Sequence, residues 1–109
     1  MITEKQVEAA NDYIRDNAAA YGAAKAARIQ LSEFRKSKKA LLMNQKQGAG
    51  HERESYAYAD DEYIALLLDI QKAVEVEETI RWSMKAAELK IEIWRTQQAN
   101  NRMIDNSHR

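Results

Sequence analysis

Between Asp60 and Asp105, residues recur in alternating steps of three and four: Tyr63, Leu66, Ile70, Ala73, Glu77, Ile80, Met84, Ala87, Ile91 and Trp94. Glu77 is the single charged member of an otherwise apolar row. A repeat this long has the period of a coiled-coil seam and commits the segment to one long helix lying against a neighbour. Almost opposite on the same helix stand Trp82, Ala86, Leu89 and Ile93, with Met103 further along. One apolar stripe is satisfied by one neighbour, whereas two stripes have to be covered twice. In a chain of 109 residues the second cover is expected from another chain. Trp82, Ala86, Leu89, Ile93 and Met103 are therefore the expected oligomer or partner interface.

The first half reads as a second long helix. Thr3 followed by Gln6 has the pattern of a capping box, and nothing clearly breaks the helix before Gly48. Val7, Ala10, Ile14, Ala18, Tyr21, Ala24, Ala27, Leu31, Phe34 and Leu41 keep a helical spacing with one irregular step near Gly22. A glycine inside a helix costs about 1 kcal/mol relative to alanine. The alanines around Gly22 suggest that a neighbouring helix approaches closely there; a hinge is the alternative. Gly48-Ala49-Gly50 is the clear breaker. His51–Ala59 is expected to be an irregular turn or a single helical turn. Asp60, Asp61 and Glu62 then place negative charge at the next helix start, where the macrodipole favours it. Beyond Trp94 the main seam turns polar, and Asn106–Arg109 reads as a tail.

The chain has no proline, three glycines and no cysteine, the profile of a helical protein without disulfides or thiolate metal sites. No signal peptide or membrane-spanning run is evident, so the expected location is the cytoplasm, with no membrane partner. The expected fold is all-α and a single domain: a helix over about residues 4–47, a loop over about 48–59 and a helix over about 60–105. The two helices fold back as a long antiparallel, coiled-coil-like hairpin. That register pairs Phe34 with Ala73 and Leu41 with Leu66. Its second stripe assembles the hairpin into a dimeric four-helix bundle or a higher oligomer.

Lys+Arg and Asp+Glu are 17 each, so the net charge favours neither nucleic acid nor lipid. The charges are nevertheless segregated. Lys25, Arg28, Arg35, Lys36, Lys38, Lys39 and Lys46 against Glu33 give residues 25–46 a charge of +6. Asp60, Asp61, Glu62, Asp69, Glu75, Glu77 and Glu78 against Lys72 give residues 60–78 a charge of −6. The preferred reading is mutual neutralisation that fixes an antiparallel register. The alternative is a nucleic-acid face made of Arg35, Lys36, Lys38, Lys39 and Lys46. Glu77, a charge in the seam, needs a partner, and Arg28 is the nearest in the hairpin.

Chemistry finds little footing. His51 lies among Glu52, Arg53 and Glu54 but lacks the second histidine of a helical zinc site, and His108 stands in the tail. No phosphate loop, nucleophile–base pair or convergent carboxylate pair is evident. The expectation is a non-enzyme without catalytic residues, metal or cofactor. Arg53, Tyr56 and Tyr58 form the candidate interface of the loop, because aromatics beside arginine recur at interface anchors and base-stacking sites. Capping the open end of the hairpin core is the competing role of the tyrosines.

Four strings, Ala24–Arg28 (AKAAR), Phe34–Met43 (FRKSKKALLM), Arg53–Ala59 (RESYAYA) and Ile91–Asn100 (IEIWRTQQAN), together resemble a family of short helical proteins of tailed phages and prophages. The resemblance spans most of the chain and implies a phage origin and a bacterial host cytoplasm. Some members sit near recombination or replication genes, but the family supplies no catalytic residue to carry over. The expected function is a self-associating interaction protein that binds a phage or host protein, in DNA recombination or replication or in counter-defence. A nucleic-acid-binding accessory protein is the alternative.

Overall fold

The computed structural model describes residues 1–108, and the regular structure among them is entirely helical. α1 spans Glu4–Asn44, α2 Gly50–Tyr58 and α3 Asp61–Ser107. The chain divides into two compact units, Met1–Tyr21 with α3 from Thr79 onward, and Gly22–Glu78.

In the first unit the capping box closes from both sides. Thr3 N donates to Gln6 Oε1 at 2.9 Å, and Gln6 N donates to Thr3 Oγ1 at 3.2 Å. Two of the amides that a helix start leaves without an internal partner are thereby satisfied. Ile2 N donates to Gln97 Oε1 at 3.3 Å, so a polar residue just past the apolar seam ties the start of the chain to α3. Val7, Ala10 and Ala87 are the buried apolar residues of this unit.

In the second unit Leu42, Ala57 and Tyr63 form the core, with Met43 packed against it. Each of the three helices contributes one of the buried residues. Lower-numbered residues of α1 meet higher-numbered residues of α3: Arg28 meets Glu77, and Lys38 meets Glu62.

Every position of the expected α3 seam, Tyr63 through Trp94, is buried or half-buried. The α1 row needs correction. Ala18, Ala27, Phe34 and Leu41 are exposed, while Asn17, Arg28, Lys38 and Leu42 are covered. With Val7, Ala10, Ile14, Tyr21, Ala24 and Leu31 these continue one heptad row, from which only Arg35 is left exposed. Polar residues occupy covered positions because each has a local solution. Asn17 Nδ2 donates to Tyr13 O at 2.9 Å, and Arg28 and Lys38 hold carboxylates. The expected pairing of Phe34 with Ala73 and Leu41 with Leu66 as core contacts is accordingly replaced by the Leu42–Tyr63 contact. Phe34 instead lines an open groove with Leu66.

Gly22 is exposed, and a Cβ built on it meets nothing within 4 Å, so close helix approach is not its reason. Gly48 is different, with φ of 127°, a conformation that only glycine adopts readily, and a Cβ there would collide with the Glu52 carboxylate. The expected loop also needs correction. Residues 50–58 form the nine-residue α2, α1 stops at Asn44 rather than near 47, and α3 starts at Asp61. Where α1 ends, two of its last carbonyls find partners: Met43 O accepts from Arg53 Nε at 3.0 Å and from Lys46 N at 3.3 Å, and Leu42 O accepts from Gln45 N at 3.1 Å. Asp60 caps α3 by accepting from Tyr63 N at 3.0 Å. Of the expected tail, Asn106 and Ser107 belong to α3 and His108 is a turn residue, while Arg109 lies outside the described residues.

Candidate interaction surfaces

α2 gathers the loop residues singled out in the sequence. Arg53 faces back onto the end of α1, bonding Met43 O and, at 3.3 Å, Asn44 Oδ1. It is a capping residue of α1. Tyr56 and Tyr58 are exposed at 41% and 47%. The Lys46 ammonium stands 5.9 Å from the Tyr56 ring centre, and the Lys39 ammonium 4.8 Å from that of Tyr58. Tyr58 also meets Tyr63, with ring centres 5.6 Å apart and planes tilted by 52°. Ala57, between them in sequence, is the fully buried residue of α2.

Glu54 Oε1 accepts from Lys39 Nζ at 2.8 Å and from Tyr58 Oη at 3.0 Å. These two donors, Lys39 first, hold the Glu54 carboxyl below its ordinary value of 4.5. The same contact pushes the Lys39 ammonium above its ordinary value. The Glu54 contribution is present above the unfolded carboxylate range and is lost as pH falls through the lowered folded value. The Lys39 contribution is complete below the ordinary lysine value and is lost only in strong alkali. The α2 contact is therefore expected to loosen in acid. Hydrogen exchange of α2 amides, followed from neutral pH to below the carboxylate range, should show an acid step that Glu54→Gln removes. An unchanged step in that variant would exclude Glu54 as its cause.

The basic residues are divided among carboxylates. Lys36 Nζ contacts Glu33 Oε1 at 3.1 Å on the exposed side of α1. Lys38 pairs with Glu62, which pushes the lysine above its ordinary value, and Arg28 pairs with Glu77. Arg28 Nη2 donates to Glu77 Oε1 at 3.1 Å, and Arg28 Nε donates to the other carboxylate oxygen. Two of these pairs join the +6 segment to the −6 segment. Arg35, Lys36 and Lys39 still converge with Tyr58 and Tyr63 around an open cavity of about 250 Å³. Lys46 lies apart from that cavity, beside Tyr56.

On α3 the second stripe stands open. Trp82 and Leu89 are each 59% exposed, and Ala86, Ile93 and Met103 are exposed too. The Arg81 guanidinium and the Lys85 ammonium flank the Trp82 ring at 5.2 and 5.5 Å from its centre. Beside the stripe, Ala9, Ala10, Tyr13, Ser83, Ala86 and Ala87 line part of an open groove of about 350 Å³. Small side chains on both helices create it.

No family model, curated protein or solved structure matches this chain. The resemblance to short phage proteins thus rests on the sequence strings alone. Among the described residues, no group of three His, Asp or Glu side chains is placed to hold a metal, and His51 and His108 are both exposed. No helix among them is long and apolar enough to cross a membrane.

Sequence reasoning allowed at most a single helical turn where the nine-residue α2 stands, and it did not foresee the Arg53 cap or the Lys39–Glu54–Tyr58 contact. Glu52, Arg53, Glu54 and Ala57, all strong helix formers, were a signal for α2. The glycines on its N-terminal side masked it. Nothing in the spacing of Lys39 and Glu54 points to their meeting.

Proposed function

We propose that this chain is a non-enzymatic interaction protein of phage or prophage origin. It is a long helical hairpin that self-associates through the Trp82, Ala86, Leu89 and Ile93 stripe. Its α2 end, with Tyr56 and Tyr58, is offered to a phage or host protein in DNA recombination, replication or counter-defence. The observation that carries this reading is the exposure of Trp82 and Leu89 on a helix whose other side is covered along its whole seam. Large apolar side chains aligned on one face mark an association site more often than scattered exposure does.

Sedimentation of the wild type is expected to show a dimer or larger species. Trp82→Glu with Leu89→Glu should weaken association by about a hundredfold or more, since each lost side chain removes about 1.5–3 kcal/mol of burial. Helicity by circular dichroism should be largely kept. A wild-type monomer at high micromolar concentration would remove self-association from the proposal.

A second reading, a nucleic-acid accessory protein, is favoured by the cavity that joins Arg35, Lys36 and Lys39 to two tyrosines. Against it, Lys36, Lys38 and Lys39 already hold carboxylates. Binding to single-stranded DNA is expected to be weak and lost at physiological salt. Sub-micromolar binding there, falling with a log–log salt slope of about −0.7 per phosphate contact, would instead favour the second reading.

A further inference from the structure

The open face of α3 carries a regularly spaced row of side chains. Thr79, Trp82, Ala86, Leu89, Ile93 and Thr96 recur at steps of three and four, and all are exposed. The spacing of this row is symmetric about its middle, between Ala87 and Glu88. A hydroxyl closes each end, a large side chain stands inside each hydroxyl, and Ala86 and Leu89 sit at the centre.

We propose that the occupant of this face is α3 of a second copy, running antiparallel about a two-fold axis at that midpoint. The proposal rests on the self-association reading above and adds its partner surface and direction. In this register Trp82 meets Ile93 of the second copy, Ala86 meets its Leu89, and Thr79 meets its Thr96. A small residue faces a larger one at the centre, and all four apolar residues of each copy find apolar neighbours. Sliding one copy by a heptad sets Trp82 or Ile93 against polar positions and leaves part of the row uncovered. A two-fold contact of this kind is closed, because the same patch serves both copies.

The flanking charges point the same way. Lys85 and Glu92 are exposed and lie on one border of the row, seven residues apart. In an antiparallel pair, residues on this border meet their counterparts on the other helix. Lys85 of each copy then stands beside Glu92 of the other, giving two opposite-charge contacts. In a parallel pair Lys85 would face the opposite border and meet Lys90, a like charge. The contacts these side chains make within one chain do not prevent the exchange. Glu92 is held by Arg95 at 3.2 Å with both side chains 67% exposed, and such pairs contribute only about 0–1 kcal/mol. The Lys85 ammonium lies over the Trp82 ring, 5.5 Å from its centre, and so already stands beside the row.

Sedimentation equilibrium of charge-reversal variants tests the direction. For the antiparallel pair, Lys85→Glu and Glu92→Lys should each loosen the dimer by about tenfold, two repulsive contacts replacing two attractive ones. An equimolar mixture of the two variants should recover wild-type affinity to within about threefold, because both cross-contacts are then of opposite charge. Tighter association of Lys85→Glu would instead indicate the parallel pair, in which the new glutamate meets Lys90, and would overturn the proposal. A dimer insensitive to both reversals, or one that mixing fails to restore, would also overturn it while leaving self-association standing. A monomeric wild type would remove both readings. Circular dichroism of each variant separates a lost contact from a lost fold.

Discussion

Replacing Arg28 by alanine is expected to destabilise the protein by about 3–5 kcal/mol, the range for removing one partner of a buried ion pair. Glu77→Ala should cost less, about 1–3 kcal/mol, although the same contact is lost. The difference follows from where water can reach. Glu77 is 5% exposed and is the buried charged residue of the seam. Without Arg28 its carboxylate loses two charge-assisted hydrogen bonds at a site that solvent barely enters. The Arg28 side chain is 32% exposed, so its guanidinium turns toward water when Glu77 is gone. Urea unfolding of both single variants and the double variant gives the order and the coupling. Equal costs, or no coupling, would show that burial of Glu77 does not set the energetics. Leucine at both positions should be near wild type in stability, since packed apolar residues commonly match or exceed a buried ion pair. What the leucines would give up is register. A slip of one heptad sets Arg28 against apolar Ile70, a costly arrangement that a leucine would tolerate.

The same pair shows where the sequence was readable. Along the α3 seam from Tyr63 to Trp94 the residues are apolar at every step except Glu77, and the contrast with their charged neighbours makes the period plain. On α1 the contrast fails. Asn17, Arg28 and Lys38 occupy covered positions, while Ala18, Ala27, Phe34 and Leu41 next to the row are exposed. A reader who follows apolar residues steps sideways onto the neighbouring position each time. In an alanine-rich helix, hydrophobicity carries little information about facing. The burial of Arg28 and Lys38 depends on carboxylates far away in the chain, which spacing within one helix cannot reveal. α2 was obscured for a different reason. Gly48 and Gly50 read as a loop, yet Gly48 makes only the turn and Gly50 is already the first residue of a helix. The open stripe of α3 could be read residue by residue, but what covers it lies outside one chain.

The largest effect of a single apolar substitution is expected at Tyr63. It is 3% exposed, touches Leu42 and fully buried Ala57, and leans on the Tyr58 ring. Tyr63→Ala should cost about 3–5 kcal/mol, as for other large aromatic residues truncated in a core. Tyr56→Ala, at a ring already 41% exposed, should change stability by no more than about 0.5 kcal/mol. The loss at Tyr63 should fall first on α2. Nine residues are too few for a helix to persist alone, since isolated helices shorter than about 12–15 residues are marginal in water. α2 therefore owes its order to Ala57 in the core, to Glu54 on Lys39 and to Arg53 on α1. Removing the Tyr63 ring takes away the surface on which Ala57 rests. Hydrogen exchange should then show α2 amides losing protection before those of Val7–Ile14, which lie in the other unit. Equal loss in both places would mean that α2 unfolds only with the whole molecule. The functional proposal makes the outcome specific: a partner that recognises Tyr56 and Tyr58 on an ordered α2 should be lost in Tyr63→Ala, while association through Trp82 and Leu89 persists. Retention of that partner by Tyr63→Ala, with α2 unprotected, would move its binding site away from this end of the protein.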